Sequence, residues 1–145
     1  MTPEQALARE AIKHTMSVYN TEGDRGRLEG LASAFFEDGV LESANGEFQG
    51  RQAIIDGLGE GVAKRASSPE KGVGFVRHNL TTCRIEFASD TEAHCWTYFI
   101  VFTKFGPDHM GTYIDHFKKR GDEWLIARRR VKLHWNNEAS TFHDE

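Results

Sequence analysis

Apolar residues recur at three- and four-residue steps through the first nineteen positions: Ala8, Ile12, Met16 and Tyr19, with Thr15 on the same stripe. That spacing predicts a helix turning one side inward. Thr2-Pro3-Glu4-Gln5 opens it with a cap residue, a proline suited to the first helical position and an acid near the positive end of the dipole. The stripe stops near Tyr19, and Asn20 to Gly23 read as a turn. A second helix is expected over about 25–36, with Leu28, Leu31, Ala32 and Phe35 facing in. "GVLESANGEFQG" predicts a hairpin, because Asn45-Gly46 suits a tight two-residue turn. "GRQAIIDGLGEGVAKRA" predicts a third helix on Ala53, Ile54, Leu58 and Val62, weakened by its glycines. Residues 66–74, "ASSPEKGVG", read as a loop and the best candidate for a flexible lid.

From Phe75 the period changes to two, and four long strands are expected near 75–88, 92–104, 110–119 and 123–135. Asp90, the "FGPDH" turn and Arg120-Gly121-Asp122 separate them. "AHCWTYFIVF" is apolar at both parities, which predicts a central strand covered on both faces. The economical architecture is α+β: three helices on one face of a strongly bent, mostly antiparallel sheet.

Length and charge narrow the picture. The chain has 145 residues, one domain's worth, and needs no disulfide or metal staple. A single domain over 1–135 with a polar tail over 136–145 is expected; Phe142 is the tail's one large apolar residue. The tail is expected to be disordered, with Phe142 folding over a pocket mouth or a neighbouring subunit as the alternative. A formal charge of -4 argues against a nucleic-acid surface, and "ARRRVK" reads as a solvated strand face. No apolar run is long enough for a membrane span and no secretory leader is visible. Cys83 and Cys95 fall in strand patterns and read as reduced thiols, so a soluble cytoplasmic protein is expected. Seven histidines are scattered without H-E-x-x-H or paired-cysteine spacing, and no G-x-G-x-x-G or P-loop occurs. Neither a metal nor a nucleotide cofactor is expected.

The order helix, helix, hairpin, helix, four strands resembles the NTF2-like fold, in particular its SnoaL-like branch. The resemblance rests on "YNTEGDRGRLEGLASAFFEDGVLE", "GRQAI", "RHNLTTCRIEF" and "GTYIDHFKKRGDEWLIARRRVKL", which span nearly the whole chain. It is similar to scytalone dehydratase, bile-acid dehydratases and polyketide cyclases. The resemblance implies a cone-shaped pocket, a homodimer or higher oligomer, and a cofactor-free lyase or isomerase acting on an apolar cyclic carbonyl compound. It implies His78 as the base, Asp24 as the carboxylate that orients and charges it, and Tyr19 as the donor to the developing oxyanion. Scytalone dehydratase has an acid directly after its helix-1 tyrosine where this chain has Asn20, so the Tyr19-to-Asp24 spacing points to the bile-acid-dehydratase arrangement. The same fold also serves as a non-catalytic ligand-binding or dimerising module, and as the β subunit of ring-hydroxylating dioxygenases.

Those residue types suit that chemistry. Imidazole is base and then acid near neutral pH, and a carboxylate on its second nitrogen fixes the tautomer. A phenol in a water-poor pocket stabilises an enolate. Each residue also has a plainer role open to it: Asp24 as cap of the second helix, His78 as a buried structural histidine, Tyr19 as packing. Tyr113 and Asp115 share a strand face with Phe117 and are expected at the pocket. Arg129 sits on an otherwise apolar face with Leu125, Ala127, Val131, Leu133 and Trp135, so it either faces the cavity or pairs with Asp115 across the sheet. Trp96 and Tyr98 are expected to supply apolar walls for the ligand, with core packing as the alternative.

Overall fold

The computed structural model describes residues 1–66 and 74–140. The expected lid over 66–74 therefore falls almost wholly outside the described residues, and Phe142 falls outside them too. Helix α1 spans Pro3–Asp24. Its start is a reciprocal capping box: the Gln5 amide donates to Thr2 Oγ1 and the Thr2 amide donates to Gln5 Oε1. The helix runs one turn past the expected stop. Asn20 is buried there and accepts a hydrogen bond from the Tyr113 hydroxyl at 3.3 Å. Tertiary contact thus outweighs the poor helix propensity of Asn and Gly. The end is a Schellman motif: Gly26, at φ 71°, donates to Gly23 O and Arg27 donates to Glu22 O.

Helix α2, Leu28–Ala32, is only five residues long. Phe35 and Phe36, expected in that helix, instead open strand β1, Phe35–Ser43. A parallel strand claims them: Phe35 pairs with Ile126, whose amide donates to Ala34 O. Strand β2, Gly46–Gln49, closes the hairpin with Ser43 opposite Gly46, so the turn is Ala44-Asn45, one residue earlier than expected. Helix α3 is Arg51–Ala66, with Ile54 fully buried.

Strands β3 (Arg77–Phe87), β4 (Glu92–Thr103), β5 (Gly106–Arg120) and β6 (Glu123–Asn136) complete a six-stranded sheet in the order β2-β1-β6-β5-β4-β3. Only the β1–β6 pair is parallel. The helices cover one face, and Ile12, Met16, Phe35, Leu41, Phe117 and Ile126 fill the layer between.

β4 departs from expectation. Ala93, Cys95, Thr97, Phe99, Val101 and Thr103 are buried, but Trp96 and Tyr98 are 37% and 53% exposed on the other face. One helical layer leaves that outer face open, so the double-sided apolar run reflects an exposed aromatic strip rather than two covered faces. Two bulges change register further. His134 is an extra residue between the Gly111–Leu133 and Met110–Trp135 pairs, which turns Trp135 to the outer face, away from Arg129. Between Val101–His109 and Phe102–Pro107, Asp108 is the extra residue, and Asp108 and His109 are both buried. Most of "FGPDH" is therefore strand rather than turn. Both cysteines are unpaired; the Cys83 sulfur accepts from Thr97 Oγ1, and burial pushes the Cys95 thiol well above its usual range.

Candidate active site

Between α1, α3, the β1–β2 hairpin and the inner face of the sheet lies a cavity of about 320 Å³. Most of its wall is apolar, from Leu31, Leu41, Phe48, Leu58, Val131 and Leu133, while Tyr19, His78, His109 and Tyr113 bring polar atoms to it. Such a pocket suits a small, mainly apolar ligand with a few oriented polar groups.

His78 is the second residue of β3, and Asp24 is the last residue of α1. The helix end brings the carboxylate onto the strand: Asp24 Oδ1 lies 2.6 Å from His78 Nδ1, and Oδ2 accepts the His78 amide at 3.0 Å. Asp24 thus grips both the ring and the main chain of one residue. It does not cap α2, whose N-cap is Arg27 without a side-chain hydrogen bond. With Nδ1 engaged by a carboxylate, the neutral ring carries its basic lone pair on Nε2.

Tyr19 closes the apolar stripe of α1 and reaches the cavity wall. Burial pushes its hydroxyl above the ordinary tyrosine range, and Arg129 pulls it part of the way back. Tyr113 is driven higher still by burial, then by the neighbouring Tyr19. Both phenols are therefore protonated donors at neutral pH. The Arg129 guanidinium lies between their rings, 4.3 Å from the Tyr19 centroid and 3.9 Å from that of Tyr113. Its fork donates to Asp115 through Nε and Nη2, both at 2.8 Å, and both side chains are fully buried. Burial opposes the arginine's charge, but Asp115 more than offsets this and holds its pKa above the usual value. Arg129 and Asp115 pair with each other behind the two tyrosines and do not line the cavity. Trp96 and Tyr98, expected as ligand walls, lie on the far side of the sheet.

A second imidazole faces the same space. His109 Nδ1 is 2.6 Å from Asp108 Oδ2, and its ring sits 6.3 Å from that of His78 at 83°. Phe99 lies against both rings. Among the described residues no cluster of three or more His, Cys, Asp or Glu is arranged to hold a metal ion. No helix among them is long and apolar enough to cross a membrane.

A family model described as a SnoaL-like domain matches residues 4–130. The chain belongs to the SnoaL-like family. Solved structures agree with a SnoaL-like cone. A candidate scytalone dehydratase from Novosphingobium aromaticivorans is 26% identical over 95% of this chain and 91% of its own, with a TM-score of 0.78. The hexachlorocyclohexane dehydrochlorinase LinA-type3 from Novosphingobium barchaimii shares the fold at 17% identity, covering 92% and 91% of the two chains, with a TM-score of 0.76. A Catenulispora acidiphila protein in complex with S-DNPA does so at 23% identity, 88% and 94% coverage and a TM-score of 0.73. No curated protein matches by sequence. With such dehydratase-like neighbours, this SnoaL-like domain is a module of the catalytic or ligand-binding kind.

The His109–Asp108 pair escaped the sequence analysis because "GPDH" reads as a turn. One signal was present: counted back from Asp115, His109 has the parity of Tyr113 and falls on the face that reaches the cavity. Asp108 had no such signal, since only the bulge turns it inward.

Proposed function

We propose that the protein is a lyase or isomerase of the dehydratase type, acting on an apolar cyclic or aromatic carbonyl compound by side-chain acid–base chemistry. The observation that carries the proposal is the 2.6 Å contact between His78 and Asp24 at the wall of an open, largely apolar cavity. His78 Nε2 takes the proton from the carbon next to the carbonyl, and Asp24 stabilises the imidazolium that forms. The Tyr19 hydroxyl donates to the oxygen that gains negative charge, and burial keeps this donor protonated. The electron pair released by the C–H bond forms the new double bond. In an elimination, the β-hydroxyl leaves with a proton supplied by His109. In an isomerisation, the proton returns to the γ-carbon instead. Neither route needs a cofactor, because the proton inventory closes on side chains and water. Tyr113, through its place in the lining, packs against the ligand. Arg129 and Asp115 act behind it as the pair that fixes the two tyrosine rings.

The test is exchange of the α-proton of hydroxylated or unsaturated cyclic ketones in D2O, which reads proton abstraction even where net turnover is slow. His78→Ala is expected to lower exchange on the order of 10²–10⁴-fold with folding intact. Unchanged exchange removes His78 from the reaction. The binding-module alternative predicts a ligand that co-purifies unaltered and no exchange in either protein.

A further inference from the structure

The chain does not stop at β6. Past Asn136 it folds back onto the first residues of β5. The Asn137 amide donates to Asp108 O at 2.7 Å and its side chain donates to Pro107 O at 3.2 Å. Asn137 also accepts, through its side chain, from the Ala139 amide and, through its main chain, from the Ser140 amide. This small closed turn delivers Ser140 to a buried position, 3% exposed. Its hydroxyl donates to Asp108 Oδ2 at 2.7 Å, the same oxygen that meets His109 Nδ1 at 2.6 Å.

A carboxylate only 1% exposed must have its oxygens satisfied by donors, and the donors set its orientation. We infer that Ser140 is a positioning residue: through Asp108 it fixes the ring orientation and tautomer of His109, so that the segment after the last strand is part of the pocket's acid–base machinery. The two imidazoles are then held from opposite ends of the chain. His78 is held by the end of the first helix and His109 by the turn after the last strand. The catalytic consequence rests on the lyase or isomerase function proposed above; the geometric one does not.

The experiment separates the two. In uniformly ¹⁵N-labelled full-length protein, long-range ¹H–¹⁵N spectra at fixed pH report which nitrogen of each histidine carries its proton. Ser140→Ala is expected to shift the ring signals of His109 away from a single Nδ1-protonated form and to leave those of His78 in place. Asn137→Ala, which keeps the hydroxyl but loosens the turn that carries it, is expected to act in the same direction, and it answers the question should Ser140→Ala fail to fold. His109 signals unchanged in the variants that fold, or His78 signals changing equally, overturn the inference.

With a turned-over ketone, Ser140→Ala is expected to lower kcat about tenfold, the size of one hydrogen bond to a charged acceptor, with KM held within about twofold. Ser140→Thr, which retains the hydroxyl, restores it. In an Asp108→Asn background the Ser140→Ala change adds nothing; an equal loss there overturns a route through Asp108. A response of His109 in a protein that exchanges no substrate protons upholds the positioning role and sinks the enzymatic function instead.

Discussion

Asp24 shows how a single side chain can look ordinary in sequence and act at long range in space. Its place between two glycines suggested a helix cap; its carboxylate instead spans 54 positions to hold the ring and amide of His78. Asp24→Asn keeps the shape but removes the charge that stabilises the imidazolium. A loss of proton-exchange rate on the order of 10³-fold or more is expected, with the melting temperature changed far less, by analogy with the effect of this substitution in hydrolase triads. Arg129 carries the opposite lesson. The sequence left open whether it faced the cavity or paired with Asp115, and the paired arrangement is the one observed. Asp115→Ala leaves an arginine charge buried without its partner, and urea unfolding is expected to show a loss of about 3–5 kcal/mol. The two buried tyrosines set an alkaline limit. Their hydroxyls titrate higher in the folded chain than in the unfolded one, where the ordinary value is 10.0. Their contribution is therefore fully present below pH 10 and is lost as pH climbs from there through the folded-state values. Tyrosinate absorbance at high pH is expected to rise together with unfolding, not before it.

Among the elements, the long periodic ones were legible and the short ones were not. α1, α3 and β3 to β6 follow from apolar spacing, with ends off by a few residues. α2 shrank because Phe35 and Phe36 gain more from pairing beside β6 than from a helix of marginal length. No local pattern announces a partner 91 residues away. The strand faces were legible only between bulges, since each extra residue reverses the parity that the reasoning depends on. Gly111 sits at one of these irregularities. A Cβ built there would press on the Lys132 carbonyl and the Phe99 ring. Backbone cannot yield as a flexible side chain can, so Gly111→Ala is expected to destabilise the protein by about 1–3 kcal/mol or more in chemical unfolding. Gly57 is a milder case: the obstruction is the Phe48 ring, which can move.

At the scale of the whole molecule, a single layer of helices leaves the other side of the sheet bare, and Trp96, Tyr98, Met110 and Trp135 are exposed there. We expect copies of the chain to associate through this face, as large aromatic surfaces on small domains generally do. Sedimentation at micromolar concentration is expected to show an oligomer, and Tyr98→Lys to shift it toward the monomer without touching the cavity. The sequence identified these residues as a coherent set but assigned them to the ligand, because parity cannot tell which side the helices choose. The surplus residue opposite Val101 and Phe102 has an evolutionary reach. Asp108 enters the β4–β5 ladder as an insertion, so its carboxylate came without displacing any paired neighbour. Losing that one codon would restore regular pairing and strip His109 of its counter-charge. Descendants could thus shed one of the two proton carriers in a single genetic step, with the sheet and the other carrier left whole.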